Sequence, residues 1–252
     1  MRRTRDIALS PTQRSLWVRT NKLKNLLTFN YFYVIILFTM IDLHTHSLLS
    51  DGVLLPSELA RRAEEKGIKV LAITDHVDTS NMDFVIPRII QACADLNKVV
   101  GIKLIPGCEL THIPPELINE LATKARDMGA KIIIAHGETF IEPVAKGTNL
   151  AALKSDIDIL AHPGLLTKQE AELAKSRNIA LEITTRAGHS LSNAHVVKTA
   201  QVVGAKLVLN SDAHQIEDLL DVDFARNVAR GAGIEDFNLL LANSQEIVEK
   251  RI

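Results

Sequence analysis

The chain has 252 residues, a net charge of -1, 46% hydrophobic and 23% charged residues, an ordinary balance for a folded globular protein and enough length for one large α/β barrel or two small domains. Its near-neutral charge leaves no polybasic footprint for nucleic acid. Cys93 and Cys108 form neither a CxxC pair nor a disulfide framework, which reads as two small buried hydrophobes in a reducing, cytosolic compartment.

Charge is unevenly spread. Residues 1–40 carry seven Lys or Arg against one acid, leaving 22 basic and 29 acidic residues in 41–252, a balance of -7. From Asn25 to Ile41 nothing is charged, and Tyr31 to Phe38 is strongly apolar. A bilayer span needs roughly 20 apolar residues; this run is shorter, is interrupted by Asn25, Thr28 and Asn30, lacks an A-x-A cleavage site, and passes without a linker into Ile41 and Asp42. Residues 1–39 are therefore expected to be a basic, hydrophobic extension outside the fold, a start-site artefact, with the domain beginning at Met40. The alternative is an uncleaved membrane anchor flanked by Lys22 and Lys24.

From Met40 onward strands and helices alternate. The first strand, around Ile41, leads into His44-Thr45-His46. Pro56 opens a helix that runs to about Lys66 and stops at Gly67. Lys69 to Thr74 is a buried strand ending in Asp75-His76, followed by a helix over about Phe84 to Val99. Ile102 to Gly107 is a third strand, ending in Glu109; a helix from Pro114-Pro115 stops at Met128-Gly129. Lys131 to Ala135 is the fourth strand, ending in His136. After a short helix near Leu150 to Lys154, Ile157 to Ala161 is the fifth strand, ending in His162-Pro163. Thr167 caps the next helix, with Glu170 placed for a capping box. Ile179 to Ile183 is the sixth strand; Ser192 caps a helix to Val203, and Lys206 to Leu209 is the seventh, ending in Ser211-Asp212-Ala213-His214. Two helices, around Asp223 to Arg230 and Glu235 to Glu249, finish the chain.

Near-continuous apolar strands separated by helices imply a parallel sheet buried on both faces. Seven such units in about 210 residues suit a distorted (β/α)7 TIM-like barrel, with an open doubly wound sheet as the alternative. In a barrel the strand C-termini share one end, where sites are built, so ligand-type residues scattered along the chain converge. Six of the seven strand ends carry them: His44 and His46, His76, Glu109, His136, His162, then Asp212 and His214, with Asp51 in the first loop. Zinc, manganese and iron sites each use three or four protein ligands. Nine candidates exceed one ion and, with one bridging carboxylate, suffice for three.

The set His44-Thr-His46, Asp51-Gly52, Thr74-Asp75-His76, Gly107-Cys-Glu109, His136-Gly137, His162-Pro163 and Asp212-Ala-His214 resembles the PHP (polymerase and histidinol phosphatase) domain over essentially all of 41–252. The resemblance implies a trinuclear site of zinc, manganese or iron. One ion would take His44, His46, Glu109 and Asp212; a second Glu109, His136 and His162, with Glu109 bridging; a third Asp51, His76 and His214. His44, His46, Glu109, Asp212 and His214 are expected to carry catalysis. The short chain, without polymerase segments, is similar to the stand-alone phosphatase branch.

Clustered divalent ions can hold a hydroxide at neutral pH for in-line attack on phosphorus, so no Ser or Cys nucleophile is needed. Arg186, in the loop after the sixth strand, is a candidate phosphate fork; His189 and Lys146 are weaker candidates for the same rim, with a surface role as the plainer reading of each. Asp42 is a candidate to orient a ligand through its second ring nitrogen, Asp75 a structural hydrogen-bonding group, His112 a supporting or loop residue, and His195 an exposed side chain. The expected activity is metal-dependent hydrolysis of a phosphate monoester on a small metabolite, such as histidinol phosphate. The alternatives are an exonuclease acting on nucleic-acid ends, an amidohydrolase-type metallohydrolase and a non-catalytic metal-binding module. Neither a nucleic acid nor, unless residues 1–39 anchor the chain, a membrane is an expected partner.

Overall fold

A computed structural model of the chain describes residues 39–252, so the expectations for residues 1–38 lie outside the described residues. Among the described residues eight strands pair in parallel: β1 (Met40–Asp42), β2 (Ile68–Ile73), β3 (His76–Val77), β4 (Lys103–Leu110), β5 (Ile132–His136), β6 (Ile159–Ala161), β7 (Ala180–Thr184) and β8 (Leu207–Asn210). Their order is β1-β2-β4-β5-β6-β7-β8, with β3 beside β4. Helices α1 (Pro56–Glu65), α2 (Met82–Leu96), α3 (Pro115–Asp127), α4 (Thr148–Leu153), α5 (Lys168–Arg177) and α6 (Asn193–Val203) alternate with them, and α7 (Val222–Gly231) and α8 (Phe237–Arg251) end the chain. This is the distorted TIM-like barrel expected from the alternation. No described helix is long and apolar enough to cross a membrane.

The extra strand has a local cause. Ile73, the last residue of β2, sits opposite Pro106, which has no N–H to offer the ladder. Pairing stops there and resumes as β3, with His76 opposite Glu109. The β1/β8 seam is distorted for a related reason: side chains replace the ladder. Leu43 N–H donates to Asn210 Oδ1 (2.9 Å), and Ser211 donates to Asp42 through both N–H (3.2 Å) and Oγ (2.5 Å). Two backbone bonds, His46 N to Ala213 O (2.8 Å) and Asp212 N to His44 O (3.0 Å), complete the closure. Asp42 is thus a seam residue; it meets His44 through the backbone N–H (3.3 Å), not through the ring as the sequence suggested.

Inside the barrel, Ile41, Leu43, Val70, Ala72, Ile105, Ile132, Ile134, Ile159, Ala161, Ala180 and Val208 pack with Ile247 and Val248 of α8. The alternate strand residues face outward into a second cluster with the helices, as the two-residue period of a strand requires. Thr167 and Glu170 form the expected capping box on α5. Ser192 does not cap α6: it already has helical dihedrals at the end of a 3-10 turn, His189–Ser192, and Asn193 instead bonds the Thr184 backbone.

Cys93 and Cys108 are both buried, and burial pushes each thiol up to about 12. Neither is expected to react with a thiol reagent at pH 8 in the folded protein, and both to react in 6 M guanidinium, because the thiolate is the nucleophile. A spectrophotometric thiol count under the two conditions checks this; a native count of one or two contradicts it.

Candidate metal centre

The inward period of the strands delivers most of the site. Ile105, Gly107 and Glu109 lie on one parity of β4, Ile132, Ile134 and His136 on one parity of β5, and Val208, Asn210 and Asp212 on one parity at β8. The lower members of each set line the interior, so the upper members reach the C-terminal mouth. His162 follows the inward Ala161 directly and would face out of a regular strand; its φ of 28° turns it back to the site. Asp212 (φ 54°) and His112 (φ 52°) are likewise in the left-handed region, each at a cost of roughly 1–3 kcal/mol that collects around one cleft.

His44 and His46 lie beyond the three-residue β1, in an extended segment. Thr45 between them donates through Oγ1 to Ala72 O (2.7 Å) and through its N–H to Thr74 Oγ1 (3.1 Å). The rings come out together, with centroids 5.0 Å apart. The loop that follows is fastened by Asp75, which accepts from Ser47 N–H (2.8 Å), Ser47 Oγ (2.8 Å) and Ser50 Oγ (2.7 Å). Gly52 packs on it so closely that a Cβ would stand 2.4 Å from His46 O.

Four sets of metal-type side chains come together among the described residues: His44, His46 and Asp212; His46, Asp51, His76 and His214; His136, His162 and His189; and His44, His162 and Glu182. In the first, His46 Nε2 is 3.2 Å and His44 Nε2 3.7 Å from Asp212 Oδ1. In the second, Asp51 Oδ1 is 3.2 Å from His214 Nε2 and 3.4 Å from His76 Nε2. Glu109 lies between these two sets: its oxygens are 3.4 Å from His44 Nε2, 3.8 Å from His46 Nε2 and 2.7 Å from His76 Nδ1. The Thr111 hydroxyl holds it there, donating to Glu109 Oε2 (3.2 Å) and lying 2.6 Å from His76 Nδ1.

Several rings are pinned through one nitrogen and present the other. His44 Nδ1 and His162 Nδ1 lie 2.9 and 3.2 Å from the two oxygens of Glu182; His136 Nδ1 faces Gly137 O (3.0 Å) and His214 Nδ1 faces Asp212 O (3.0 Å). Oxygen acceptors there require N–H at Nδ1 and leave a lone pair at Nε2, the form that binds metal. Among the described residues, five buried side-chain atoms have no hydrogen-bond partner: His44 Nε2, both ring nitrogens of His46, Glu109 Oε1 and His162 Nε2. Buried polar groups are rarely left so, and lone pairs converging with carboxylates match a divalent cation's donor set. The residues therefore fit the metal ions that the motif pattern implies.

Electrostatics agree. Burial, with His76 alongside, pushes His46 down to about 3, and burial lowers His162, so both rings stay neutral. At His44 burial is outweighed by Glu182, Glu109 and Asp212, which hold it well above the ordinary value; a cation bound at Nε2 would take the place of the second ring proton. Asp212 and Glu109 are held low against burial, chiefly by His44. The acids stay ionised in a water-poor floor, a negative field that suits cations.

The centre opens into a cleft of about 420 Å³ lined by residues including Asp51, His76, His136, Arg186, Asp212 and His214. All nine predicted ligands are brought to this centre. Arg186 lines the cleft and donates through Nη1 to Asp218 Oδ2 (2.8 Å). His189 is buried among the histidines, its Nδ1 2.8 Å from Thr139 Oγ1, so the surface reading does not hold for it. Lys146 is exposed and lines a separate groove with Phe140, Leu165 and Glu170, because Gly147 (φ 95°) starts α4 and carries the loop away; the structure does not bring it to the cleft. His112 is at the rim, 3.0 Å from Glu142 Oε2, and His195 is exposed on α6, bonded to Leu166 O (2.8 Å).

Three contributors escaped the sequence reading. Glu182 is fully buried between His44 and His162; its signal was a lone charge inside the apolar run 179–183. Glu142 comes from a loop and Asp218 from a single 3-10 turn, Ile216–Asp218, and neither carries such a signal.

A family model described as the PHP domain matches residues 42–189. An uncharacterized protein of Methanocaldococcus jannaschii is 45% identical over 83% of this chain and 98% of its own length. DNA polymerase/3'-5' exonuclease PolX of Bacillus subtilis is 30% identical over 82% of this chain, a match that takes in 40% of that protein. A protein of Shewanella loihica named "Probable phosphatase" is 28% identical over 73% of this chain and 86% of its own. In fold, the chain is similar to the histidinol phosphate phosphatase of Lactococcus lactis, solved with zinc, L-histidinol and phosphate, with a TM-score of 0.59 at 20% identity over 78% of this chain and 95% of that one.

Proposed function

The chain belongs to the PHP domain family, and we propose that within it this protein is a phosphatase of small phosphorylated metabolites, cleaving phosphate monoesters at the cluster of His44, His46, Asp51, His76, Glu109, His136, His162, Asp212 and His214. Metal-dependent phosphoester hydrolysis follows from that membership and from phosphatase relatives; the proposal concerns the substrate, the number of ions and their ligands. The observation that carries it is the cleft: about 420 Å³, floored by buried imidazole nitrogens and carboxylates, with one guanidinium on its wall. That volume suits a small ester. A strand of nucleic acid asks for a basic groove and stacking aromatics, whereas residues 41–252 carry a balance of -7.

Three cations, zinc, manganese or iron, are proposed: one at His44, His46, Glu109 and Asp212, one at Glu109, His136 and His162, and one at Asp51, His76 and His214. When bound, such ions supply Lewis-acid polarisation of phosphoryl oxygens and activation of water. The chain's own groups position the ester. Asp218 accepts from Arg186 and also from the N–H of His214 (3.1 Å) and Gln215 (3.2 Å), which fixes the guanidinium beside the His214 loop. Its remaining N–H groups form the fork that meets two phosphate oxygens.

Arg186→Ala is expected to raise KM for a monoester about 10- to 100-fold with a smaller change in kcat, the size of a lost charged hydrogen bond. Arg186→Lys should restore little, since an ammonium lacks the fork. Steady-state kinetics on the two variants decide it; an unchanged KM in Arg186→Ala would remove Arg186 from substrate binding.

The function itself is tested by assaying the full chain with Mn, Zn or Fe on an aryl phosphate, histidinol phosphate, single-stranded DNA and a cyclic amide. Phosphate release from the monoesters supports the reading. Nucleotide release from DNA without monoesterase activity would establish the exonuclease alternative, which the similarity to PolX favours, and hydrolysis of the amide alone would reject phosphatase chemistry.

A further inference from the structure

We infer that His189 is a protein ligand of the cation held by His136 and His162, with the Glu142 carboxylate beside it. The inference rests on the reading of the cluster as a metal centre.

The three rings each offer one nitrogen within 4.8 Å of the others'. His136, His162 and His189 are all buried, and each is pinned through Nδ1, by Gly137 O, Glu182 and Thr139 Oγ1 respectively. Nε2 is thereby the presented atom of all three, and that of His162 has no partner. Glu142 Oε2 stands 3.2 Å from His136 Nε2 and Oε1 3.3 Å from His189 Nε2, so an anionic donor already reaches the same point.

The backbone holds His189 in place. Gly188, at φ 87°, turns the chain into the site, and a Cβ on it would lie 2.7 Å from Ile141 Cδ1. The loop that carries Thr139 and Glu142 is thus packed directly on the turn that carries His189, which fixes both donors relative to His136. Three imidazoles and one carboxylate select a borderline cation such as zinc or ferrous iron over magnesium or calcium.

The test loads the full chain with zinc, desalts it and counts metal per chain by mass spectrometry, alongside competition titration with a chelating indicator. His189→Ala is expected to hold one zinc fewer than the parent, as His136→Ala does, or to bind that zinc at least 10-fold more weakly. Thr139→Val, which keeps the ring and removes its Nδ1 partner, should weaken the same ion about 10-fold. Full stoichiometry and parental affinity in His189→Ala, with an ion lost in His136→Ala, would overturn the inference and leave the metal centre standing. A parent chain that binds no zinc or iron would overturn both. Should His189→Ala fail to fold by circular dichroism, anomalous scattering from zinc-loaded parent crystals decides: an ion about 2.0–2.1 Å from His189 Nε2 supports the assignment, and an ion at His136 and His162 beyond bonding distance of His189 overturns it.

Discussion

Glu109→Gln is expected to cut phosphate release from a monoester at least about 10³-fold while leaving the barrel folded. The amide keeps the shape and one oxygen but removes the charge that faces His44, His46 and His76. In the parent, burial works against ionisation of Glu109 and the two neighbouring imidazoles, His44 first and then His76, outweigh it, holding the carboxyl well below its ordinary value. That retained charge sits between two of the proposed cations. Losing it removes several kcal/mol of charge stabilisation from the site, and about 4 kcal/mol corresponds to the 10³-fold stated. The check is kcat together with bound metal per chain and a circular dichroism melt of the metal-free protein. A kcat within tenfold of the parent, with full metal content, would mean that Glu109 is not central to the reaction.

How much of this centre was readable in advance follows from strand geometry. Glu109, His136 and Asp212 continue the inward parity of Ile105, Ile134 and Val208, so an apolar run followed by a donor residue was a sound signal. His162 breaks that parity and is recovered by a positive φ; its chemistry pointed to the site although its spacing did not. The expectation of seven strands omitted β3 because the effect of Pro106 acts across the ladder, on a partner about 30 residues away in sequence, and no local pattern reports it. His189 and Lys146 looked alike as loop residues after strands. Gly188 turns one inward against Ile141 while Gly147 carries the other outward, a difference decided by tertiary packing. Glu142 and Asp218 depend wholly on loop conformation, which follows from contacts and not from periodicity.

Glu182→Leu is expected to lower zinc affinity and phosphatase activity by 10- to 100-fold and to destabilise the metal-free protein by about 3–5 kcal/mol, the range for removing one side of a buried charged pair. Glu182 touches no predicted substrate group. Its oxygens serve His44 Nδ1 (2.9 Å), His162 Nδ1 (3.2 Å) and Asn210 Nδ2 (2.8 Å), so it joins a ligand of the first proposed ion to a ligand of another and ties both to the β1/β8 seam through Asn210, which also receives Leu43 N–H. Leucine matches the bulk and leaves three buried donors without an acceptor. Glu182→Gln retains an acceptor and should fall between parent and Glu182→Leu in both stability and metal affinity, separating the hydrogen bonds from the charge. The pH dependence has a defined sign. Burial opposes ionisation, but His44 and His162 hold Glu182 at about 2 against an ordinary 4.5; a carboxylate depressed in this way contributes stability that is fully present above its unfolded pKa and is lost as pH falls through the folded one. The gap in stability between parent and Glu182→Leu, measured by urea unfolding of metal-free protein, should therefore be widest above about pH 5 and narrow toward pH 2. A gap under about 1 kcal/mol at pH 7, or one that widens on acidification, would show that the imidazoles are held by packing and not by this carboxylate.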